Sequence, residues 1–278
     1  MKIVVINGSP TGNRGTTAQS VKYLQQQLGE HEFEVIEAAR RIRRLGGDRG
    51  AFDKVVEQLA GADGVLWAFP VYIMLVPAQL KRFIELLGER GGEAALSGKV
   101  CSAISTSAHH YDHTAHDYLE AVSWDLGMTY VHGFSAESGD LLTEDGRRNL
   151  LGFGRDFLRR AAGEPAIEAA PAPLQWTAPE FRPVQDAAPA PVPAEPGEGR
   201  IVVVSDADPG DHNLARMIDV FERSVSEPVD RIELRDLRMD GGCLGCMKCC
   251  DGDDCVYKDD YQAAFDGRVK GAKVVIYA

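Results

Sequence analysis

The sequence lacks the features that would assign the protein to a membrane or to nucleic acid. No apolar run approaches the roughly 20 residues that cross a bilayer, and the opening MKIVVI runs into a turn before it reaches the length of a secretory signal. Positive charge is also scarce, since 30 Lys and Arg against 42 Asp and Glu give a net charge of −12. A nucleic-acid-binding protein normally presents a basic face. These absences predict a cytoplasmic protein with no membrane and no nucleic-acid partner.

Cysteine and proline are rare except in two segments. Five of the six cysteines lie between Cys243 and Cys255, which in a cytoplasmic chain favours metal or redox chemistry over structural disulfides. Nine of the 14 prolines lie in residues 164–199. Proline disfavours both helix and sheet, so this segment is predicted to be an extended Pro/Ala-rich linker. The alternative is an ordered arm anchored by Trp176 and Phe181.

Residues 1–163 alternate strand-like apolar runs with helix-like stretches. The predicted strands are Lys2–Ile6, Glu34–Ala38, Gly64–Ala68, Val100–Ser105 and Thr129–Phe134. The predicted helices are Thr17–Leu28, Phe52–Leu59, Ala78–Leu87, Thr114–Leu126 and Asp145–Arg160. Nearly continuous apolar strands are typical of a parallel sheet that is buried on both faces. The pattern predicts an α/β domain with a doubly wound, five-stranded parallel sheet, whose ligands bind beyond the carboxyl ends of the strands.

The same pattern restarts after the linker. Residues 200–278 are predicted to form strand Arg200–Ser205, helix Asn213–Val225, strand Asp230–Leu234, helix Asp259–Val269 and strand Lys273–Tyr277. This order repeats the first three strand–helix units of residues 1–163, which predicts a second, incomplete copy of the domain. We expect the sequence to be a fragment of a longer chain, the alternative being a half-domain that another domain or subunit completes.

A loop suited to a phosphate follows the first predicted strand. The segment NGSPTGNRGTT, residues 7–17, combines glycines with hydroxyl side chains directly before a helix. Backbone N–H groups and the dipole at a helix N-terminus favour an anion. The spacing matches neither a Walker loop nor G-x-G-x-x-G, which disfavours ATP and a dinucleotide in the Rossmann position. The candidate phosphate-binding residues are Ser9, Thr11, Arg14, Gly15, Thr16 and Thr17.

A second segment, FPVYIMLVPAQLKRFI at residues 69–84, follows the third predicted strand. Together the two segments resemble the NADPH-dependent FMN reductase group of the flavodoxin-like superfamily. There a Gly-Ser-Pro loop holds the FMN phosphate, and a Pro-Val-Tyr loop with a Leu-Lys helix flanks the isoalloxazine ring. The resemblance covers residues 1–163 and implies a flavodoxin-like FMN-binding domain with NAD(P)H as transient cosubstrate. The ring-contacting residues that it implies are Pro70, Val71, Tyr72, Ile73 and Met74.

Four of the seven histidines lie between His109 and His116, after the fourth predicted strand. Position favours a third edge of the flavin pocket, with candidate residues Ser105, Thr106, Ser107, His109 and His110. A second interpretation is a metal site, because His109 or His110 with Asp112, His113 and His116 has ligand-like spacing. A third is that Thr114 caps a helix, while His113 and His116 are solvated on its first turn.

The motif C-x2-C-x2-C-x5-C comprises Cys243, Cys246, Cys249 and Cys255, and Cys250 is an additional thiol. Four thiolates at compact spacing can ligate a [4Fe-4S] cluster. The motif resembles that of iron-sulfur flavoproteins, which pair such a cluster with FMN. Zinc and free thiols are the alternatives. The following VYKDD also resembles the superfamily and supports a second flavodoxin-like copy.

The second copy is not expected to bind FMN. The loop after its first predicted strand reads SDADPGDHNL, and its three aspartates would lie where a phosphate dianion binds. Repulsion between like charges costs on the order of 1 kcal/mol for each pair even in water. The flavin loop therefore belongs to the first copy and the cysteines to the second.

These features together predict an FMN-dependent oxidoreductase or electron-transfer flavoprotein with a [4Fe-4S] cluster. Its partners would be NAD(P)H or a low-potential donor, and an acceptor that the sequence does not identify. The resemblance implies a homodimer or an intramolecular pseudo-dimer. The alternatives are a cluster-free NAD(P)H:FMN or quinone reductase, and a zinc-stabilised non-enzymatic module on a flavodoxin fold.

Overall fold

The computed structural model describes residues 1–164, 180–182, 200–208, 210, 212–252 and 254–278. The described residues form two compact units. The first unit is drawn from Met1–Pro173 with Gly242–Gly245, and the second from Leu174–Gly241 with Cys246–Ala278. Most of the predicted linker, including Trp176, lies outside the described residues. Within the second unit, the backbone N–H of Phe181 donates to Asn213 Oδ1 at 3.0 Å.

The first unit is built on one parallel sheet. Its strands are β1 (Lys2–Asn7), β2 (Glu32–Ile36), β3 (Gly64–Pro70), β4 (Val100–Thr106), β5 (Thr129–Tyr130) and β6 (Phe134–Ala136). The order is β2-β1-β3-β4-β5, with β6 also paired to β4. This is the doubly wound order in which strand order reverses beside β1, and it confirms the predicted flavodoxin-like sheet.

Helices cover both faces of this sheet. They are α1 (Thr16–Gln27), α2 (Ile42–Gly47), α3 (Arg49–Ala60), α4 (Ala78–Glu89), α5 (Asp112–Asp125) and α6 (Glu144–Ala161). Alternate residues of β1 divide between the faces: Ile3 and Val5 pack with α1 and α6, whereas Val4 and Ile6 pack with α2–α5. Complete burial of such a side chain stabilises the fold by about 1.5–3 kcal/mol. The carboxyl ends of the strands therefore belong to a sheet that is packed on both faces.

The last strand differs from the sequence expectation. The predicted strand Thr129–Phe134 divides into β5 and β6, because the His132 carbonyl accepts a hydrogen bond from Ser102 Oγ at 3.0 Å. Gly133 lies at the break, where a Cβ atom would come 2.3 Å from His116 Nδ1. The strand therefore bends around His116, which one of the three interpretations of the sequence left in solvent.

The second unit contains a smaller parallel sheet. Its elements are β7 (Ile201–Ser205), α7 (His212–Ser224), β8 (Val229–Glu233), α8 (Asp260–Ala264) and β9 (Val274–Tyr277). The strand order is β8-β7-β9. The predicted helix Asp259–Val269 is α8 followed by one π-helical turn at Phe265–Val269. Among the described residues of both units, no helix combines the length and the apolar character needed to cross a bilayer.

Two glycines of α6 provide a test of its packing. A Cβ on Gly146 would lie 2.3 Å from the backbone oxygen of Asp140, whereas nothing lies within 4 Å of a Cβ on Gly152. We expect Gly146→Ala to lower the free energy of unfolding by about 1–3 kcal/mol through overpacking. Gly152→Ala should raise it by about 0.5–1 kcal/mol through helix propensity. Urea denaturation of both variants, followed by circular dichroism, measures the difference. Equal stabilities would contradict the close approach of α6 to Asp140.

Candidate functional site

Three loops meet at the carboxyl edge of the first unit's sheet. They follow β1, β3 and β4, which are neighbours or next neighbours in the sheet. Thr106 joins all three. Its backbone oxygen accepts from the N–H of Val71 at 3.0 Å, and its hydroxyl lies 2.6 Å from that of Thr17. The structure thus brings together the candidate residues of the three segments singled out in the sequence.

The loop after β1 is organised by its own hydroxyl groups. Ser9 is buried, and its backbone N–H donates to Asn7 Oδ1 at 3.0 Å. Its hydroxyl is hydrogen-bonded to that of Thr11 at 2.8 Å. Gly12 has a left-handed φ of 60°, and its oxygen accepts from Gly15 N at 3.0 Å. The chain therefore closes into a tight turn directly before α1.

The N-terminus of α1 has the properties of an anion site. Its N-cap is Gly15, which has no side chain to accept from the free N–H groups of the first turn. A Cβ at Gly15 would lie 2.7 Å from Thr11 Oγ1 and 2.9 Å from Ser9 Oγ, so only glycine leaves this hollow open. Arg14 and Thr16 are exposed beside it, while Thr17 is buried. These groups fit the phosphate of FMN.

The loop after β3 contains a strained turn that sequence reasoning did not detect. Tyr72 N donates to Leu75 O at 2.8 Å, and Leu75 N donates to Tyr72 O at 3.1 Å. The two residues between them, Ile73 and Met74, have φ values of 46° and 68°. Such a turn ordinarily takes Asn-Gly, and a β-branched residue with positive φ is rare.

This turn presents apolar surface at the edge of the sheet. The side chain of Ile73 is 95% exposed and that of Met74 is 42% exposed, whereas Val71 and Tyr72 are half-buried. Thr114 Oγ1 donates to the Met74 oxygen and so connects α5 to the turn. Backbone strain of this kind accumulates at binding sites, where the surrounding structure enforces it.

The loop after β4 carries an ion pair. His109 Nδ1 lies 2.9 Å from Asp112 Oδ2, and Ser107 Oγ donates to the same oxygen at 3.1 Å. Ser135 on β6 also donates to it. Neither Asp112 nor Ser135 was a candidate for this pocket edge, since the partners are 23 positions apart in sequence. His110 is exposed, with its ring edge-on to that of Tyr111 at 4.9 Å.

His116 is partly buried, which corrects the interpretation of this residue as solvated. Its Nε2 lies 2.9 Å from Ser105 Oγ and its Nδ1 lies 3.3 Å from Tyr130 Oη. Burial lowers the pKa of His116 below its ordinary value, so the ring is neutral at neutral pH. The hydroxyl of Ser105, a candidate flavin contact, is therefore engaged with this ring.

The cysteines of the C-x2-C-x2-C-x5-C motif are not gathered into a ligand set. Cys243 belongs to the first unit, and Cys246, Cys249 and Cys255 belong to the second. Of these, only Cys255 is half-buried; the others are exposed. Throughout the described ranges, no three His, Cys, Asp or Glu side chains are placed to hold a metal ion. The described side chains of His109–His116, which were interpreted as a possible metal site, likewise form no such group.

The short segment Gly242–Gly245 packs inside the first unit. Tyr72 Oη donates to the oxygen of Leu244 at 3.2 Å, and Gln79 Nε2 donates to that of Gly242 at 3.1 Å. Gly245 has a φ of 63°, and a Cβ there would lie 2.2 Å from Tyr72 Oη. The Tyr72 hydroxyl is thus directed at this segment, which the sequence did not indicate.

In the second unit, the acidic loop after β7 is closed by an arginine. Arg235 Nε donates to the oxygen of Asp206 at 3.0 Å. Its other nitrogens lie 3.7 Å from the carboxylates of Asp206 and Asp208. The third aspartate, Asp211, lies outside the described residues. This guanidinium is shared between two carboxylates.

Comparison with known proteins identifies relatives of the first unit. The sequence profile described as NADPH-dependent FMN reductase matches residues 1–140. An FMN-dependent NADH:quinone oxidoreductase of Vibrio vulnificus is 28% identical over 131 residues, 41% of this chain and 67% of that protein. One of Bordetella petrii is 27% identical over 190 residues, 52% of this chain and 90% of that protein.

A solved structure shows the same fold. It is the apo form of an NADH:FMN oxidoreductase, EMOB, with a TM-score of 0.50 and 24% identity. The match covers 59% of this chain and 91% of that one.

The hydroxyl pair of Thr17 and Thr106 is expected to stabilise the site. Both residues are buried, so Thr17→Val leaves the Thr106 hydroxyl without this partner. The free energy of unfolding should fall by about 1–3 kcal/mol. The double variant with Thr106→Val should cost less than the sum of the two single variants. Urea denaturation of the four proteins measures this coupling, and additive costs would contradict a direct hydrogen bond.

Proposed function

The chain belongs to the NADPH-dependent FMN reductase family, and from this premise we propose that it oxidises NAD(P)H and reduces a small quinone-like acceptor with FMN bound in the first unit. The observation that carries the proposal is the hollow at Gly15, where an uncapped helix N-terminus meets the hydroxyls of Ser9 and Thr11. An acceptor of the quinone class is supported by the relatives from Vibrio vulnificus and Bordetella petrii.

The proposed cofactor site has two parts. The phosphate would be bound by the loop after β1, through the backbone of α1 and the side chains of Ser9, Thr11, Arg14, Thr16 and Thr17. The ring would lie against residues 70–74, with Ser105–Ser107, His109 and His110 at its other edge. FMN supplies the two-electron chemistry that such a reduction needs. The protein orients the ring and excludes water with the apolar side chains of Ile73 and Met74.

Residues 200–278 are proposed to be an incomplete second flavodoxin-like copy that does not bind FMN. The order β8-β7-β9 places the first strand in the centre, as β1 lies between β2 and β3. Arg235 lies 3.7 Å from the carboxylates of Asp206 and Asp208, in the loop that would correspond to the phosphate loop. An intramolecular pseudo-dimer or a homodimer is the arrangement that we propose for the whole chain.

A second candidate function adds a [4Fe-4S] cluster on Cys243, Cys246, Cys249 and Cys255. The motif spacing favours it, whereas the placement of the described thiols does not fit cluster ligation. The geometry therefore supports the cluster-free reductase better, and the cysteine segment has no step in the proposed reaction.

The hollow at Gly15 is tested by Gly15→Ala. The added methyl would collide with the hydroxyls of Ser9 and Thr11. FMN affinity should fall at least tenfold, or about 1.4 kcal/mol, as measured by quenching of FMN fluorescence. Gly152→Ala, which introduces the same methyl on open surface of α6, serves as the control and should bind FMN as the parent does. Unchanged affinity in Gly15→Ala would place the phosphate elsewhere.

The cluster is tested on protein purified anaerobically with iron present. We expect flavin absorption and substoichiometric iron and sulfide, unchanged in Cys243→Ser and Cys255→Ser. Stoichiometric iron and sulfide that are lost in these two variants but kept in Cys250→Ser would establish the cluster instead. One zinc per chain without flavin would support the non-enzymatic module.

A further inference from the structure

The pair formed by His109 and Asp112 is supported by further hydrogen bonds from the same loop. The ring is fixed by the Nδ1 hydrogen bond to Asp112, and the backbone N–H of His109 donates to Ser107 Oγ at 2.9 Å. His109 has a left-handed φ of 52°, and so does Tyr111, the N-cap of α5. Positive φ at two non-glycine residues is uncommon, and the surrounding structure maintains it.

The ionised form of Asp112 is stabilised by several hydrogen bonds. Hydroxyls from two different strand ends, Ser107 after β4 and Ser135 on β6, donate to the same oxygen that accepts from His109. Burial by itself would raise the pKa of Asp112, but these hydrogen bonds outweigh it and hold the pKa well below its usual range. The negative charge beside Nδ1 is therefore present throughout the physiological pH range.

His109 is surrounded by acidic groups from each element that faces it. Asp112 lies on α5. Glu137 is the residue after β6, and its Oε1 lies 3.7 Å from His109 Nε2. Asp140 lies in the next helical turn. The hydrogen bond to Asp112 is the largest cause that raises the pKa of His109, and Glu137 and Asp140 add to it. The imidazolium consequently persists to higher pH than in an ordinary histidine, with its side chain 48% exposed.

The proposed reaction requires a proton from solvent. Conversion of a quinone to a quinol takes two electrons and two protons. NAD(P)H gives up a hydride, which accounts for both electrons and one proton. The second proton must be delivered to the acceptor oxygen as the two C=O groups become C–O–H groups. A histidine with a raised pKa, a partly exposed ring and a place in the loop at the candidate flavin edge suits this step.

We propose that His109 is the proton donor for the acceptor and that Asp112 is the residue that positions it, by fixing Nδ1–H so that the proton on Nε2 is the one transferred. The neutral imidazole left behind regains a proton from water, so the balance closes as NAD(P)H, one proton and quinone giving NAD(P)+ and quinol. This inference rests on the proposed function. His116 is unsuited to the role because its ring is neutral and bonded to Ser105 and Tyr130.

The first test does not depend on FMN. NMR titration of the histidine Cε1–H signals in the full-length apoprotein, assigned with His109→Gln, should show the pKa of His109 above its ordinary value of about 6.5. Asp112→Asn and Glu137→Gln should each lower it, because each removes a negative charge. Glu137→Gln also guards against misfolding of Asp112→Asn, since the Glu137 side chain is 54% exposed. An unshifted His109 in the parent protein would overturn the inference.

The second test separates the two half-reactions of the FMN-loaded protein by stopped flow. His109→Gln, saturated with FMN to offset any change in its FMN affinity, should affect reduction by NAD(P)H far less than reoxidation. It should lower the rate at which the NAD(P)H-reduced protein is reoxidised by 1,4-benzoquinone by about 100-fold at pH 7. In the parent protein this reoxidation should slow as the pH rises through the pKa of His109, and in Asp112→Asn the decline should begin at lower pH.

His113→Gln is the matched control, because His113 is an exposed histidine in the same loop region, and it should reoxidise at the parental rate. Equal reoxidation rates in His109→Gln and the parent, with FMN bound in both, would refute the role of His109 while leaving the proposed function intact. Failure of the parent protein to bind FMN would instead refute the proposed function, whatever the histidine titration shows.

Discussion

The hydroxyls of Thr17 and Thr106 lie 2.6 Å apart in the interior of the first unit, and the arrangement of the site depends on this contact. Thr17 is in the first turn of α1, and Thr106 ends β4. The same residue receives the N–H of Val71 from the loop after β3. Three segments that are widely separated in sequence are therefore joined at one buried polar point. Because a buried hydroxyl without a partner is costly, this point also limits how far the loops can move.

Around this point the loops reach their geometry by different means. The loop after β1 relies on glycine, since Gly12 supplies the left-handed turn and Gly15 leaves room between two hydroxyls. The loop after β3 instead forces Ile73 and Met74 into a conformation that glycine would adopt without strain. The first arrangement leaves a hollow for an anion. The second directs apolar side chains outward, where a planar ring can cover them.

The electrostatics of the site follow from the same layout. The positive end of α1 faces the loop after β1, while Asp112 brings a stable negative charge to the loop after β4. Its partner His109 is 48% exposed, and the carboxylate raises the pKa of its ring. His116, although only four positions further from Asp112 along α5, is neutral because it is largely shielded from water. Opposite charges are thus separated along the carboxyl edge of one sheet.

The parallel sheet and its helices could be predicted from the sequence, because apolar periodicity is a local property that tertiary contacts reinforce. The glycine- and hydroxyl-rich loop after β1 could also be predicted, because a helix N-terminus is formed by residues that are neighbours in sequence. Contacts between residues far apart in sequence could not be predicted in this way. They are the hydrogen bond between Thr17 and Thr106, the one from Ser135 to Asp112, and the bend at Gly133 that makes room for His116. The cysteines are a further example. Their spacing suggested a cluster, but the positions of the thiols depend on the fold, and among the described residues no three ligand side chains are placed to hold a metal ion.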